Sequence, residues 1–149
     1  MVYTLPEGGF MAYLWNSALD TGNEKIDGQH RKLFDTLNSI ASAFQENRGP
    51  QEISSTLVFL TEYTIMHFSE EEELMKKYNY PEYSTHKFSH DDFKITVGKL
   101  MKDMEAKGPS EDLIVNVTAV IGDWLITHIK FDDKKMIAYI ASKGMVKIQ

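Results

Sequence analysis

Residues 53–78 read ISSTLVFLTEYTIMHFSEEEELMKKY. Within them Ile53, Leu57, Leu60, Thr64, His67, Glu71, Leu74 and Tyr78 recur at steps of three and four, the spacing that lines up one face of an α-helix. The stripe starts aliphatic and turns polar in its second half. His67 and Glu71, one turn apart, stand where a greasy contact belongs. The stretch is a long helix whose core-facing side carries groups that bind protons or metals.

The same spacing runs on either side of it. Upstream, Ile26, His30, Leu33, Leu37, Ile40 and Phe44 form the stripe of a first helix. Thr21-Gly22-Asn23-Glu24 has the form of a capping box that opens it. Asn47-Arg48-Gly49-Pro50 closes it, with a proline suited to the first turn of the next helix. Downstream, Asn79-Tyr80-Pro81 is a stop, and a third helix carries His86, His90, Phe93, Val97, Leu100 and Met104. Lys107-Gly108-Pro109-Ser110 ends that helix and caps a fourth, with Ile114, Val117, Ile121, Trp124 and His128 on its stripe. Connections this short make sequential helices antiparallel neighbours. The expected fold is all-α: an up-down-up-down antiparallel four-helix bundle over about 22–131, in a single domain covering 1–149. Residues 1–20 read as an irregular arm broken by Pro6, Gly8 and Gly9 and anchored by Phe10, Tyr13 and Trp15. A short terminal helix over about 134–142 ends near Gly144. Neither strand alternation nor an internal repeat is visible.

Composition narrows the function. A chain of 149 residues is long enough for one sizeable core. A net charge of -6 and a pI near 5.3 leave no basic face for phosphates, which argues against a nucleic-acid partner. No uninterrupted apolar run approaches the ~20 residues of a membrane span. The start, MVYTLPEGGF, lacks the basic and apolar stretches of a secretory signal, so the expected location is the cytoplasm. The absence of cysteine excludes disulfides, iron–sulfur clusters and thiolate-bound zinc. Any metal must be held by imidazole and carboxylate.

All five histidines fall on the helix stripes or one turn from a carboxylate. An unpaired polar group costs about 1–3 kcal/mol to bury, and an unpaired charge more. Six such residues, His30, His67, Glu71, His86, His90 and His128, together with an aspartate after His128, would consume most of a net stability of about 5–15 kcal/mol. A lone histidine on an apolar stripe is usually a hydrogen-bonded core residue, but that explanation does not extend to every histidine of the chain. Metal ions bonded to neutral imidazoles and ionised carboxylates make such burial favourable. Five imidazoles and two carboxylates exceed one octahedral shell. Two octahedral ions accommodate five nitrogens, two bridging carboxylates and one bridging solvent oxygen, with a single position left over, which suits a diatomic ligand. Iron, manganese, zinc and copper all accept this ligand set.

Ile26-Asp27-Gly28-Gln29-His30, His67-Phe68 with Glu71, His86 through His90, and Trp124-Leu125 with His128-Ile129 resemble the hemerythrin signature. The resemblance runs from about Trp15 to Lys135 and is nearest to stand-alone bacterial hemerythrins. It implies two non-haem iron ions (Fe2+/Fe3+) joined by an oxo or hydroxo group, binding O2 reversibly. His86, His90 and His128 then hold the filled iron, His30 and His67 hold the iron with the vacancy, and Glu71 and Asp133 bridge both. On a regular helix Asp132 lies ~40° from His128 and Asp133 ~140° away. The family pattern selects Asp133 and so implies a distorted turn, with Asp132 as the alternative. By the same resemblance Leu33, Phe68, Trp124, Leu125 and Ile129 line an apolar O2 pocket that holds no acid to cleave the bound ligand.

The function implied is an oxygen carrier, store or local supply and not an enzyme. A slow di-iron oxidase, peroxidase or nitric oxide reductase, and an O2-responsive sensor or iron-handling protein acting through a protein partner, are the alternatives. No histidine has a glutamate three residues before it, unlike the Glu-x-x-His pairs of ferritin-like oxidases. Among the remaining polar residues, Glu70, Glu72 and Glu73 read as a solvated face with Glu72–Lys76 and Glu73–Lys77 pairs. Asp27 reads as a first-turn carboxylate or a hydrogen-bond partner of a ligand histidine. Met66, Met75, Met101 and Met104 read as packing residues.

Overall fold

A computed structural model describes residues 2–4 and 11–144. Helix α1, Glu24–Gln45, is capped by Asn23, whose side chain accepts from the Ile26 amide at 3.1 Å. This corrects the capping box expected of Thr21 and Glu24. Asp27 competes for Thr21: the Thr21 amide and hydroxyl donate to that carboxylate at 3.0 and 2.7 Å. The lead-in folds back on the first turn, with Gly22 at φ +96°. The Asp27 carboxylate is thus committed to Thr21 and Gly22 and not to a histidine.

Helix α2, Pro50–Lys77, starts on Pro50 after Gly49 at φ +97°. Helix α3 covers Tyr83–Lys107, and helix α4, Glu111–Thr127, is capped by Ser110, which accepts from the Leu113 amide at 3.2 Å. These boundaries fall where the proline, glycine and serine signals put them. Cross-helix pairs set the directions. Gln29 meets His67 and Lys25 meets Glu70; Thr61 meets Met101 and Glu72 meets His90; His90 meets His128 and Phe93 meets Trp124. In each couple the numbers rise on one helix as they fall on the next, so α1 to α4 alternate in direction. Contacts between α1 and α4 close the bundle.

Helix α4 does not end at its histidine. A π turn, His128–Asp133, joins it to α5, Lys134–Ser142, in one helix of 32 residues. The terminal helix covers the expected residues but continues α4 through the π turn without a break. By length and composition alone the joined helix is long and apolar enough to cross a membrane. In the bundle its apolar residues Ile114, Val117, Ile121, Leu125, Met136 and Ile140 are core.

The arm is also more ordered than its sequence indicates. Val2–Thr4 and Met11–Tyr13 form β1 and β2, an antiparallel pair with Val2 opposite Tyr13. A short 3-10 turn, Ser17–Leu19, follows. The strand ends on Asn38 of α1, whose side chain accepts from the Tyr13 amide at 2.9 Å and donates to the Tyr13 carbonyl at 2.8 Å. Tyr13 is buried and Trp15 half-buried; Pro6, Gly8, Gly9 and the anchor expected at Phe10 lie outside the described residues.

The core has two apolar layers. The larger contains Leu33, Leu37, Ile40, Leu60, Phe93 and Ile121. The smaller, at the α5 end, contains Ile26, Met75, Tyr80, Met136, Ile137 and Ile140. Met75, not the expected Leu74, carries the α2 stripe into it, and Leu74 and Tyr78 are half-buried. Between the layers lies a slab of histidine and carboxylate.

Candidate metal centre

Helices α1 to α3 and the π turn each contribute to this slab, between apolar residues of the two layers. His30 sits between Ile26 and Leu33, His67 and Glu71 between Leu60 and Met75, and His86 and His90 between Tyr80 and Phe93. His128 and Asp133 come from the π turn. Its hydrogen bond runs from the Lys134 amide to the Ile129 carbonyl, five residues back. That wider turn brings residues five apart to one face, so Asp133 is fully buried beside His128. Asp132 points outward and its carboxylate lies 2.9 Å from His128 Nδ1. The ambiguity between the two aspartates thus resolves into two different positions.

All seven side chains meet in two overlapping groups. Glu71, His86, His90, His128 and Asp133 place one ligand atom each within 4.8 Å of one another, and so do His30, His67, Glu71 and Asp133. Glu71 and Asp133 belong to both. Imidazole Nε2 atoms approach the two carboxylates at 3.0–3.5 Å. The four carboxylate oxygens, and Nε2 of His30 and His86, nevertheless lack hydrogen-bond geometry. These atoms aim at shared points and not at each other. Orphaned buried polar atoms are costly unless something else bonds them, and metal ions placed among them would do so.

The outer faces of the rings are held by groups next to the ligands in sequence. His67 Nδ1 lies 2.6 Å from Gln29 Oε1 and His90 Nδ1 2.8 Å from Glu72 Oε2. A carboxylate can only accept, so His90 donates through Nδ1; the Asp132 carboxylate lies 2.9 Å from His128 Nδ1 as a charge contact without hydrogen-bond geometry. Nε2 of His90 and Nε2 of His128 lie 3.1 Å apart, a hydrogen bond when one of the two carries the proton. A cation bonded to both nitrogens would have to displace that proton. Glu72 is therefore not the solvent-facing partner of Lys76 that the sequence indicated. Gln29 stands in the quoted signature beside His30, but nothing in the sequence alone gives it the role of holding His67.

Aromatic rings cover the cluster. Phe68 lies flat on His90 at 3.9 Å, Trp124 flat on His128 at 4.3 Å, and Trp15 stacks on His30 at 6.2 Å. Phe68, Leu33, Leu125 and Ile129 are buried and Trp124 half-buried, all within the larger apolar layer. The methionines behave as packing residues, Met75 and Met104 buried and the Met101 sulfur 3.0 Å from the Thr61 hydroxyl oxygen.

Without metal, the slab is held by its own charges. Burial disfavours the imidazolium, but Asp133 and Glu71 more than offset it, raising His30 and His86 to about 9. His128, also buried, rises to about 10 through Asp133 and Asp132. Burial would raise Glu71, but His67, His30 and His86 hold it well below the usual carboxylate range. Asp133, opposed by burial and by Glu71, is likewise held low by His128 and His30. A histidine with a raised pKa stabilises the fold fully below its unfolded value of about 6.5 and loses that contribution as pH rises through the folded value. The metal-free chain is therefore expected to lose thermal stability from pH 7 to 10. Metal loading at pH 7 should release protons, because ligation needs neutral imidazole. Indicator-dye titration checks this; loading with no proton release would contradict the charge state assigned to the slab.

Fold and slab together define a metal-binding four-helix bundle with a histidine–carboxylate centre. A family model, the hemerythrin HHE cation binding domain, matches residues 21–140. The chain belongs to the hemerythrin family. It is 31% identical over 121 residues to a bacteriohemerythrin of Stenotrophomonas maltophilia (strain R551-3), covering 81% of this chain and 76% of that one. It is 36% identical over 109 residues to a bacteriohemerythrin of Methylococcus capsulatus (strain ATCC 33009 / NCIMB 11132 / Bath), covering 72% and 80%. A crystal structure of wild-type hemerythrin superposes with a TM-score of 0.76 at 28% identity, covering 86% of this chain and 97% of that one.

Proposed function

We propose that this protein, in the cytoplasm, binds O2 reversibly at a non-haem di-iron centre as a carrier, store or local supply. The observation that carries the reading is the unequal sharing of ligands: two groups with Glu71 and Asp133 in common, one with three imidazoles and one with two. In this assignment His86, His90 and His128 hold one iron, and His30 and His67 the other. Glu71 and Asp133 would serve both ions. An iron pair held there would supply the electrons that O2 takes up on binding. The group with fewer imidazoles would leave room for that ligand.

The chain's own residues do the rest. Gln29, Glu72 and Asp132 hold His67, His90 and His128 by Nδ1 and leave Nε2 directed inward. Leu33, Phe68, Trp124, Leu125 and Ile129 are assigned to the O2 pocket. None of them carries a carboxylic acid to protonate and cleave a bound diatomic, which favours release over oxidation. Their apolar surface excludes water, which slows loss of superoxide and oxidation of the irons.

The test is a cycle. Diferrous protein prepared without oxygen should develop a charge-transfer band in air and lose it on purging. Irreversible bleaching to the diferric form with release of product would mark an oxidase. Leu125→Ala is expected to cost about 2–5 kcal/mol of stability and to speed autoxidation by letting water approach. The decay rate of the oxygenated band measures it, and an unchanged rate would remove Leu125 from the pocket.

A further inference from the structure

Between α2 and α3, one turn from the slab, lies an apolar cavity of about 80 Å³, lined among others by Leu60, Thr64, Phe93, Val97 and Ile121. We propose that this cavity is a station for dioxygen on its way to the metal centre, entered from the seam between the two helices. The proposal rests on the O2-binding reading; uptake of an apolar gas by the cavity does not.

The lining favours an apolar guest over water. Its two hydroxyl groups are already engaged: Thr61 donates to the Leu57 carbonyl at 2.9 Å and Thr64 to the Leu60 carbonyl at 2.7 Å. A buried water needs two to four polar partners, whereas an apolar cavity stays dry and admits xenon or a small apolar molecule. The position is equally specific. Thr64 precedes His67 by three residues and Phe93 follows His90 by three, a rise of roughly 5 Å along the bundle. Phe93 meets Phe68 edge-on at 6.0 Å, and Phe68 lies 6.0 Å from the ring of His67, in the two-imidazole group. A thin aromatic layer, whose side chains rearrange quickly relative to binding, thus separates the cavity from the imidazoles.

The mouth is open to solvent. A Cβ added at Gly98 would meet nothing within 4 Å. Lys94, also in the lining, has its ammonium 3.5 Å from Asp91 Oδ1, one turn back along α3. Gly98 is exposed, in mid-helix, where a larger residue favours the helix. Gly98→Leu should therefore fold and cover the mouth, while Gly98→Ala serves as a control that leaves it open.

The experiment pairs xenon-pressurised crystals of the iron-loaded full chain with flash-photolysis or stopped-flow O2 kinetics. Expected is a xenon peak among Leu60, Phe93, Val97 and Ile121 in the unaltered chain and in Gly98→Ala, and none in Gly98→Leu. In Gly98→Leu the O2 association and dissociation rates should both fall roughly tenfold with Kd unchanged, because an obstructed path raises one barrier in both directions. Ordered water in place of xenon, or unchanged O2 rates in a variant that excludes xenon, would overturn the station. A chain that takes up xenon but shows no reversible O2 band would overturn the O2 reading and the station with it. The xenon peak tells that failure from an unsuited cavity.

Discussion

Glu71→Ala is expected to empty both metal positions, not one. Glu71 is fully buried and common to both ligand groups, with Oε2 3.0 Å from His67 Nε2 and Oε1 3.1 Å from His90 Nε2. Loss of a group that only orients a metal ligand already costs about 10–100-fold in affinity, and loss of a shared ligand should exceed that for each ion. His67→Ala is the informative contrast. It removes one imidazole from the two-histidine group, so one ion should remain while O2 binding disappears. Elemental analysis after loading and desalting reads the difference. Two irons are expected in the unaltered chain, about one in His67→Ala and well under one in Glu71→Ala, from the two groups the geometry defines. Two irons retained by Glu71→Ala would contradict the shared role, and full O2 binding by His67→Ala the ligand assignment.

The second large effect is expected far from any ligand. Gly122 lies on α4 beneath the ring of Tyr13, and a Cβ at this position would overlap that ring. Among the described residues the arm is also held there by Asn38, which binds the Tyr13 backbone, by the Tyr13 hydroxyl, which donates weakly to Asp123 at 3.4 Å, and by Trp15, which packs on His30 and Phe34. Gly122→Ala must therefore lift the arm or bend α4, an overpacking cost of about 1–3 kcal/mol. For a chain of this size that lowers Tm by several degrees, at about 2–4 °C per kcal/mol. The cost should shrink in a Tyr13→Ala background, where the obstacle is gone. Equal effects of Gly122→Ala with and without Tyr13 would mean that helix geometry, not the arm, requires this glycine.

The residues of the slab were legible because burial imposes the same periodicity on ligands as on leucines. His30, His67, Glu71, His86, His90 and His128 lie on their stripes for that reason. The residues that hold the rings were not. Gln29, Glu72 and Asp132 each sit one position from a ligand, at the edge of a stripe, where a helix normally meets water. Each becomes visible only when a ring is seen reaching it. Asp133 was selected by resemblance against regular helical geometry, and a π turn supplies the reason. The hairpin escaped notice because strands of three residues show no usable alternation. The distorted turn expected around Asp133 is a π turn, which keeps the helix going into the terminal segment while shifting its face.

The physical account is that two apolar layers enclose a polar slab whose charges are satisfied by a pair of ions sharing Glu71 and Asp133. The most direct measurement is anomalous diffraction at the iron edge from crystals of the iron-loaded chain. The account predicts two peaks, one beside His86, His90 and His128 and one beside His30 and His67, with Glu71 and Asp133 touching both. A single peak with every position filled, or imidazoles hydrogen-bonded only to protein after full loading, would contradict it.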